Sequence, residues 1–146
     1  MTRKTITSAN AVILMTIPML PIPVELKQFS SDDMINMDEI VLSESRMGVD
    51  GIKSSGYVPS IKTVHITFEA NSPSIDIFNI WVNAMIVARE VFETTAFTVS
   101  LPGLKKTFLF TNGSLKNAKL LPDLKKTAQP VTYTLEFESI TSVPFA

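Results

Sequence analysis

Polar and apolar residues alternate along several short stretches of the chain. From Lys62 to Glu69, Val64, Ile66 and Phe68 fall on one side, and Thr63, His65, Thr67 and Glu69 on the other. A period of two places successive side chains on opposite faces of a sheet, so this stretch is predicted to be a half-buried antiparallel strand. Val131 to Ile140 repeats the pattern, with Val131, Tyr133, Leu135 and Phe137 set against Thr132, Thr134, Glu136 and Glu138. Phe97, Val99 and Leu101 begin a third such segment, and Lys106 to Thr111 forms a fourth with Phe108 and Phe110 in phase. Between them the period changes. Ser72-Pro73 offers a serine cap followed by a proline suited to a first helical turn, and Ile75 to Phe92 spaces Phe78, Trp81, Val82, Met85 and Ile86 at helical intervals. This long helix is predicted to pack across a sheet.

The remaining segments are less regular. Val12 to Leu20 reads as a strand whose end is set at a sheet edge or a bend by Pro18, Pro21 and Pro23. Phe29-Ser30-Ser31-Asp32-Asp33 provides cap residues ahead of Met34, Ile35 and Met37, predicting one or two helical turns there. Glu39 to Met47 and Ile52 to Val58 flank Gly48-Val49-Asp50-Gly51, a glycine-bounded turn, and so predict a hairpin. Its polar middle suits an arm projecting around 39–58 better than a core strand. About seven strands and one long helix predict a mainly β fold, an antiparallel sandwich or open barrel with the helix on one flank. A polar leader, residues 1–10, is expected to precede a single domain over 11–146.

Composition sharpens this picture. Of 146 residues, 45% are hydrophobic and 18% are charged, with 13 basic and 14 acidic side chains. An average soluble domain carries about 25% charge, so such sparse charge suggests a surface covered in part by copies of the chain or by a partner. The near balance of signs provides no global field for nucleic acid or anionic lipid. Absence of cysteine excludes disulfides, thiol nucleophiles and thiolate metal sites, and fits folding in a reducing cytosol. Arg3 and Lys4 before the apolar run from Ala11 to Val24 imitate a signal peptide, but three prolines interrupt the run and it is too short to span a bilayer.

Candidate chemistry is scarce. His65 is the sole histidine and falls on the polar face of its strand, so it has no histidine or cysteine companion for a metal. No Gly-x-Ser-x-Gly elbow, Gly-x-Gly-x-x-Gly turn or Walker loop occurs. Glu136 and Glu138 are expected about 7 Å apart on one strand face. That spacing could flank a glycosidic bond, but Thr132 and Thr134 stand where a sugar site would want aromatic platforms. Asp32 and Asp33 are explained by helix capping. No catalytic, cofactor-binding or metal-ligating residue is therefore expected, and a binding or structural role leads. Leu101-Pro102-Gly103-Leu104-Lys105-Lys106-Thr107 recurs as Leu121-Pro122-Asp123-Leu124-Lys125-Lys126-Thr127. Turn chemistry used twice with solvated lysines accounts for the echo; the sharper alternative places the two lysine pairs on loops that face an acidic neighbour.

Thr16-Ile17-Pro18-Met19-Leu20 with Pro23-Val24-Glu25-Leu26-Lys27-Gln28-Phe29, then Met47-Gly48-Val49-Asp50-Gly51 and Ser55-Gly56-Tyr57-Val58-Pro59, resemble small structural proteins of tailed-bacteriophage tails. Ala70-Asn71-Ser72-Pro73-Ser74, Leu101-Pro102-Gly103, Pro122-Asp123-Leu124-Lys125-Lys126, Gln129-Pro130 and Tyr133-Thr134 continue the resemblance in the same order. It covers the chain from about Thr16 onward, in turns and strand starts rather than catalytic signatures. It includes tail-tube subunits and tube-proximal baseplate components. The resemblance implies a tail-tube-like sandwich or open barrel assembled into hexameric rings, within a virion tail made in the host bacterial cytoplasm. Its partners would be copies of itself and other tail proteins, with DNA only as non-specific passing cargo and no membrane, cofactor or small-molecule substrate. In that setting Thr132, Thr134, Glu136 and Glu138 are candidates for a lumen or polar ring face. Met47, Gly48, Val49, Asp50 and Gly51 are candidates for an inter-ring arm. Lys105, Lys106, Lys125 and Lys126 are candidate basic loops. A soluble non-catalytic adaptor, or a tail-assembly or baseplate connector, is the alternative; an enzyme using the acidic face is a third reading for which no substrate can be named.

Overall fold

The computed structural model describes residues 11–30, 34–94 and 96–144. Alternation along the chain resolves into two sheets that share one apolar interior. The five-stranded sheet has the order β11-β8-β7-β1-β2, formed by β1 (Val12–Ile17), β2 (Leu20–Glu25), β7 (Ala96–Leu101), β8 (Lys106–Thr111) and β11 (Ser139–Pro144). The four-stranded sheet has the order β3-β6-β10-β9, formed by β3 (Ile35–Met37), β6 (Lys62–Phe68), β9 (Ser114–Asn117) and β10 (Val131–Phe137). Every pairing is antiparallel, and the sheets are not closed into a barrel. β4 (Ser43–Met47) and β5 (Lys53–Tyr57) form a separate two-stranded sheet. One helix, α1 (Ser74–Ala88), completes the described elements.

Aromatic stacking shows how β10 joins the layers. Tyr133 lies flat against Phe78 of α1, ring centroids 4.4 Å apart, and Phe68 of β6 packs on Phe78 at 5.4 Å. Four residues further on, Phe137 meets Phe97 and Phe110 of the five-stranded sheet at 5.0 and 4.8 Å. One face of a single strand therefore packs under the helix at one end and against the opposite sheet at the other. Trp81, Phe78, Tyr133 and Leu135 are completely buried. At Gly113 an added Cβ would sit 2.2 Å from the Phe137 ring, so only glycine allows the backbone to approach this closely. Tyr133 Oη has no hydrogen-bond partner among the described residues, and burial, reinforced by the charge of Asp76, raises its pKa to about 12.

The helix opens one residue later than Ser72-Pro73 suggests. Pro73 is the flanking residue, while Ser72 Oγ accepts the Ser74 N–H at 3.2 Å and donates to the Lys27 carbonyl. Lys27 N–H returns a bond to Ser74 Oγ at 2.7 Å, fastening the helix start to the chain after β2. At the other end Arg89 turns left-handed at φ 55° and donates to the Met85 carbonyl, stopping the helix before Phe92. Trp81 Nε1 then donates to the Phe92 carbonyl at 2.8 Å, which holds the exit segment against the helix.

Four expectations change. Val12 to Leu20 is two strands, because Pro18 lies in the turn between β1 and β2; Pro23 is accommodated because β2 is a sheet edge. Ile35–Met37 is a strand rather than helical turns, its Ile35 and Met37 pairing with Ile66 and Val64; Asp32 and Asp33 lie outside the described residues. Val131 to Ile140 breaks after Phe137, and its continuation, β11, joins the other sheet. The strand count rises from about seven to eleven among the described residues, with the short β3 and β9 and the polar β11 making most of the difference.

Candidate functional site

The outward face of the four-stranded sheet is a layer of hydroxyls with a histidine in its centre. Register pairs Thr132 with Thr67, Thr134 with His65 and Glu136 with Thr63. Thr67 and Thr132 share a hydrogen bond at 2.9 Å, and His65 bridges Thr134 Oγ1 at 3.0 Å through Nδ1 and Asp38 Oδ1 at 3.2 Å through Nε2. His65 thus acts as a polar tie across three strand-level elements. Thr134 is buried beneath this tie, Thr132 is exposed and Glu136 is half-buried, 3.7 Å from Lys116 of β9.

Glu138 lies one residue past the end of β10. It falls between β10 and β11, where its N–H donates to the Thr111 carbonyl at 3.0 Å and its carboxylate accepts from Asn112 Nδ2. The break turns it toward an open cleft of about 910 Å³ at the end of the sandwich. Glu136 and Glu138 do meet there, joined by Glu93 from the segment after α1 and by Tyr57 and Ile61 from the foot of the hairpin. Glu93, Tyr57 and Ile61 carried no pattern in the sequence that set them apart. Three stretches far apart in the chain converge, and nothing local signals that.

The candidate arm lies in the longest exposed run among the described residues. All five residues of β4 and all five of β5 are exposed, held together by five register pairs and by Ser45 and Ser55 hydroxyls 2.9 Å apart. Its tip is well specified: Gly48 N–H donates to the Ile52 carbonyl, Asp50 Oδ1 accepts from Ile52 N–H, and Gly51 takes φ 83°. Met47 and Val49 nevertheless project into solvent. Val49 is fully exposed at 111% of its reference area, a placement that contributes nothing to this chain's own core.

The two lysine loops differ. Lys105 takes a left-handed conformation in the β7–β8 turn, where Leu101 and Leu104 are half-buried, and Lys106 opens β8. Lys125 and Lys126 lie in the 118–130 connection, where Leu121 and Leu124 stand in solvent. Asp123 there is taken by Lys119 at 2.6 Å, and that hydrogen bond holds its carboxyl below the usual range.

Among the described residues no group of three or more His, Cys, Asp or Glu is placed to hold a metal ion, and no helix is long and apolar enough to cross a membrane. The geometry is that of a structural module with polar faces, an open cleft and an arm. A two-layer sandwich of this form is shared with proteins of contractile injection systems. A chain in the tube-terminating cap of the anti-feeding prophage superposes with TM-score 0.68 at 14% identity, covering 99% of this chain and 94% of that one. A chain in the sheath/tube terminator of an extracellular contractile injection system gives 0.68 at 12%, covering 98% and 99%. One in the anti-feeding prophage baseplate gives 0.60 at 11%, covering 99% and 98%. At such identities these likenesses speak for the fold. No curated protein sequence matches the chain. The family match is more specific: residues 4–141 fit the tail fiber protein gp32 family, and the chain belongs to it. It is a structural component of a phage tail.

Proposed function

We propose that the chain assembles with copies of itself into rings, hexameric as the tail-tube resemblance implies, which form, extend or terminate the tail tube through which DNA passes. The observation that carries this reading is the β4–β5 arm, a hairpin with every strand residue exposed and apolar side chains at its tip. A two-stranded hairpin is marginal in water by itself, so an arm with a specified tip and no cover in its own chain calls for a partner surface. In this reading Met47, Gly48, Val49, Asp50 and Gly51 reach a neighbouring ring.

The hydroxyl-rich face bearing Thr132, with Thr134 beneath His65, suits a channel side. Unpaired lysine on such a wall would hold phosphates and retain the genome; here Lys116 lies 3.7 Å from Glu136, which offsets its charge, and the rest of the face is largely neutral hydroxyls. Glu136 and Glu138 then belong to the polar ring surface at the end of that face. A terminal or baseplate connector position is the second reading; it is favoured by fold neighbours taken from a tube-terminating cap, a sheath/tube terminator and a baseplate.

Negative-stain electron microscopy of the purified chain, with mass from light scattering, tests the reading. Rings or short tubes with a mass several times the 16.1 kDa of one chain are expected. A monomer at every concentration and salt tried would overturn it.

A further inference from the structure

We infer that the 118–130 loop of one copy docks by Leu121, Leu124, Lys125 and Lys126 into the acidic cleft at the arm's foot on a second copy. The inference rests on the self-assembly reading and names the surfaces it would use.

The cleft and the loop are complementary. Lining the cleft are Glu93, Glu136 and Glu138 against the one lysine Lys62, whose ammonium already donates to the Ser60 carbonyl at 2.7 Å; Glu136 is also 3.7 Å from Lys116 beside the cleft, so Glu93 and Glu138 carry its uncompensated charge. Tyr57 and Ile61 supply apolar walls and remain 71% and 63% exposed, so the cleft has room and uncovered apolar surface for an apolar side chain. The loop presents the converse, with Leu121 69% and Leu124 71% exposed beside two lysines. Lys119 occupies Asp123, and neither Lys125 nor Lys126 forms a salt bridge among the described residues. An exposed leucine pair next to lysines without a salt-bridge partner among the described residues matches an apolar cleft bordered by carboxylates, which both steers the approach and fixes the register.

The repeated heptad isolates the feature. In the first copy Leu101 and Leu104 are half-buried in their own chain, so that turn offers charge without an apolar anchor. In the second copy the corresponding Leu121 and Leu124 are unburied. Of the two similar segments, only the one in the 118–130 loop thus presents the leucines an interface core requires.

Docking within one chain is geometrically poor. None of the loop's residues lines the cleft: β9 runs from Ser114, opposite Glu136, to Asn117, opposite Thr134, and the loop continues in that direction, away from the cleft, before entering β10 at Val131. Two different complementary patches on one chain produce a head-to-tail contact, which propagates from copy to copy and builds rings or tubes. The arm leaves from the same end as the cleft, so it would run alongside the docked neighbour.

The test uses the full chain in two forms. Reversing the loop (Lys125→Glu with Lys126→Glu) or the cleft (Glu93→Lys with Glu138→Lys) is expected to raise the concentration needed for assembly at least tenfold, and combining all four is expected to restore it. Because the chain has no cysteine, Leu124→Cys with Ile61→Cys provides an independent reading: oxidation should link assembled copies into a ladder of covalent multimers, whereas Leu104→Cys with Ile61→Cys should not. If the reversed variants fail to fold, the cysteine pair decides. Rings or tubes of the Ile61→Cys with Leu124→Cys variant that form no 61–124 link on oxidation would overturn this docking and leave self-assembly standing. A wild-type chain that never assembles would remove both.

Discussion

The interior around β10 and the β4–β5 arm are built from the same antiparallel pairing, yet they depend on opposite things. In the interior, Phe68, Phe78, Trp81 and Tyr133 form one cluster of ring contacts under the helix, and Phe97, Phe110 and Phe137 form a second between the sheets, with β10 contributing a ring to each. In the arm no strand residue is buried, and the described contacts holding it are backbone pairs, a serine pair and turn bonds. Hydrophobic burial stabilises the first without help from outside, whereas a solvated hairpin gains little from folding by itself. The difference separates residues that make the chain fold from residues that give the folded chain something to hold.

Phe137→Ala should show the largest effect, because the ring bridges the opposed sheets and leaves a cavity when removed. A loss of about 3–5 kcal/mol in denaturant unfolding is expected. A loss below about 1 kcal/mol would mean that the sheets are not joined there.

Tyr133→Phe is expected to be smaller and opposite in sign. It removes a buried hydroxyl that lacks a partner among the described residues, and should stabilise by about 1 kcal/mol. Tyr133 carries a folded-state pKa of about 12 against an ordinary value of 10.0. Its protonated form is therefore favoured by folding, and stability present below pH 10 should fall as pH rises toward 12. The phenylalanine variant should lose less stability over that window in alkaline unfolding curves.

Val49→Ser at the arm tip should leave stability within about 0.5 kcal/mol of wild type. Assembly, followed by light scattering, should nonetheless weaken. A destabilised monomer would place Val49 in the interior's class and erase the distinction between the two regions.

The strands that can be read from sequence are those with one buried and one solvated face, as Val64, Ile66 and Phe68 or Tyr133, Leu135 and Phe137 show. β3 and β9 escape because three or four residues hold too few alternations to establish a period. The split after Phe137 left only a slip of phase in the sequence, with Ser139 where an apolar residue is due and Ile140 on the polar side, too little to show that the backbone crosses to the other sheet. The hairpin arm was readable from Gly48 and Gly51. The cleft was not, since Tyr57, Glu93 and Glu138 are brought together by the closing of the sandwich and by no local sequence signal.

Amide hydrogen exchange on the wild-type chain, dissociated and assembled, tests the central claim most directly. The account predicts that β6 and β10 are protected in both states, while amides of β4 and β5 exchange quickly in the dissociated chain and become protected on assembly. Arm amides that exchange equally fast in both states would contradict it.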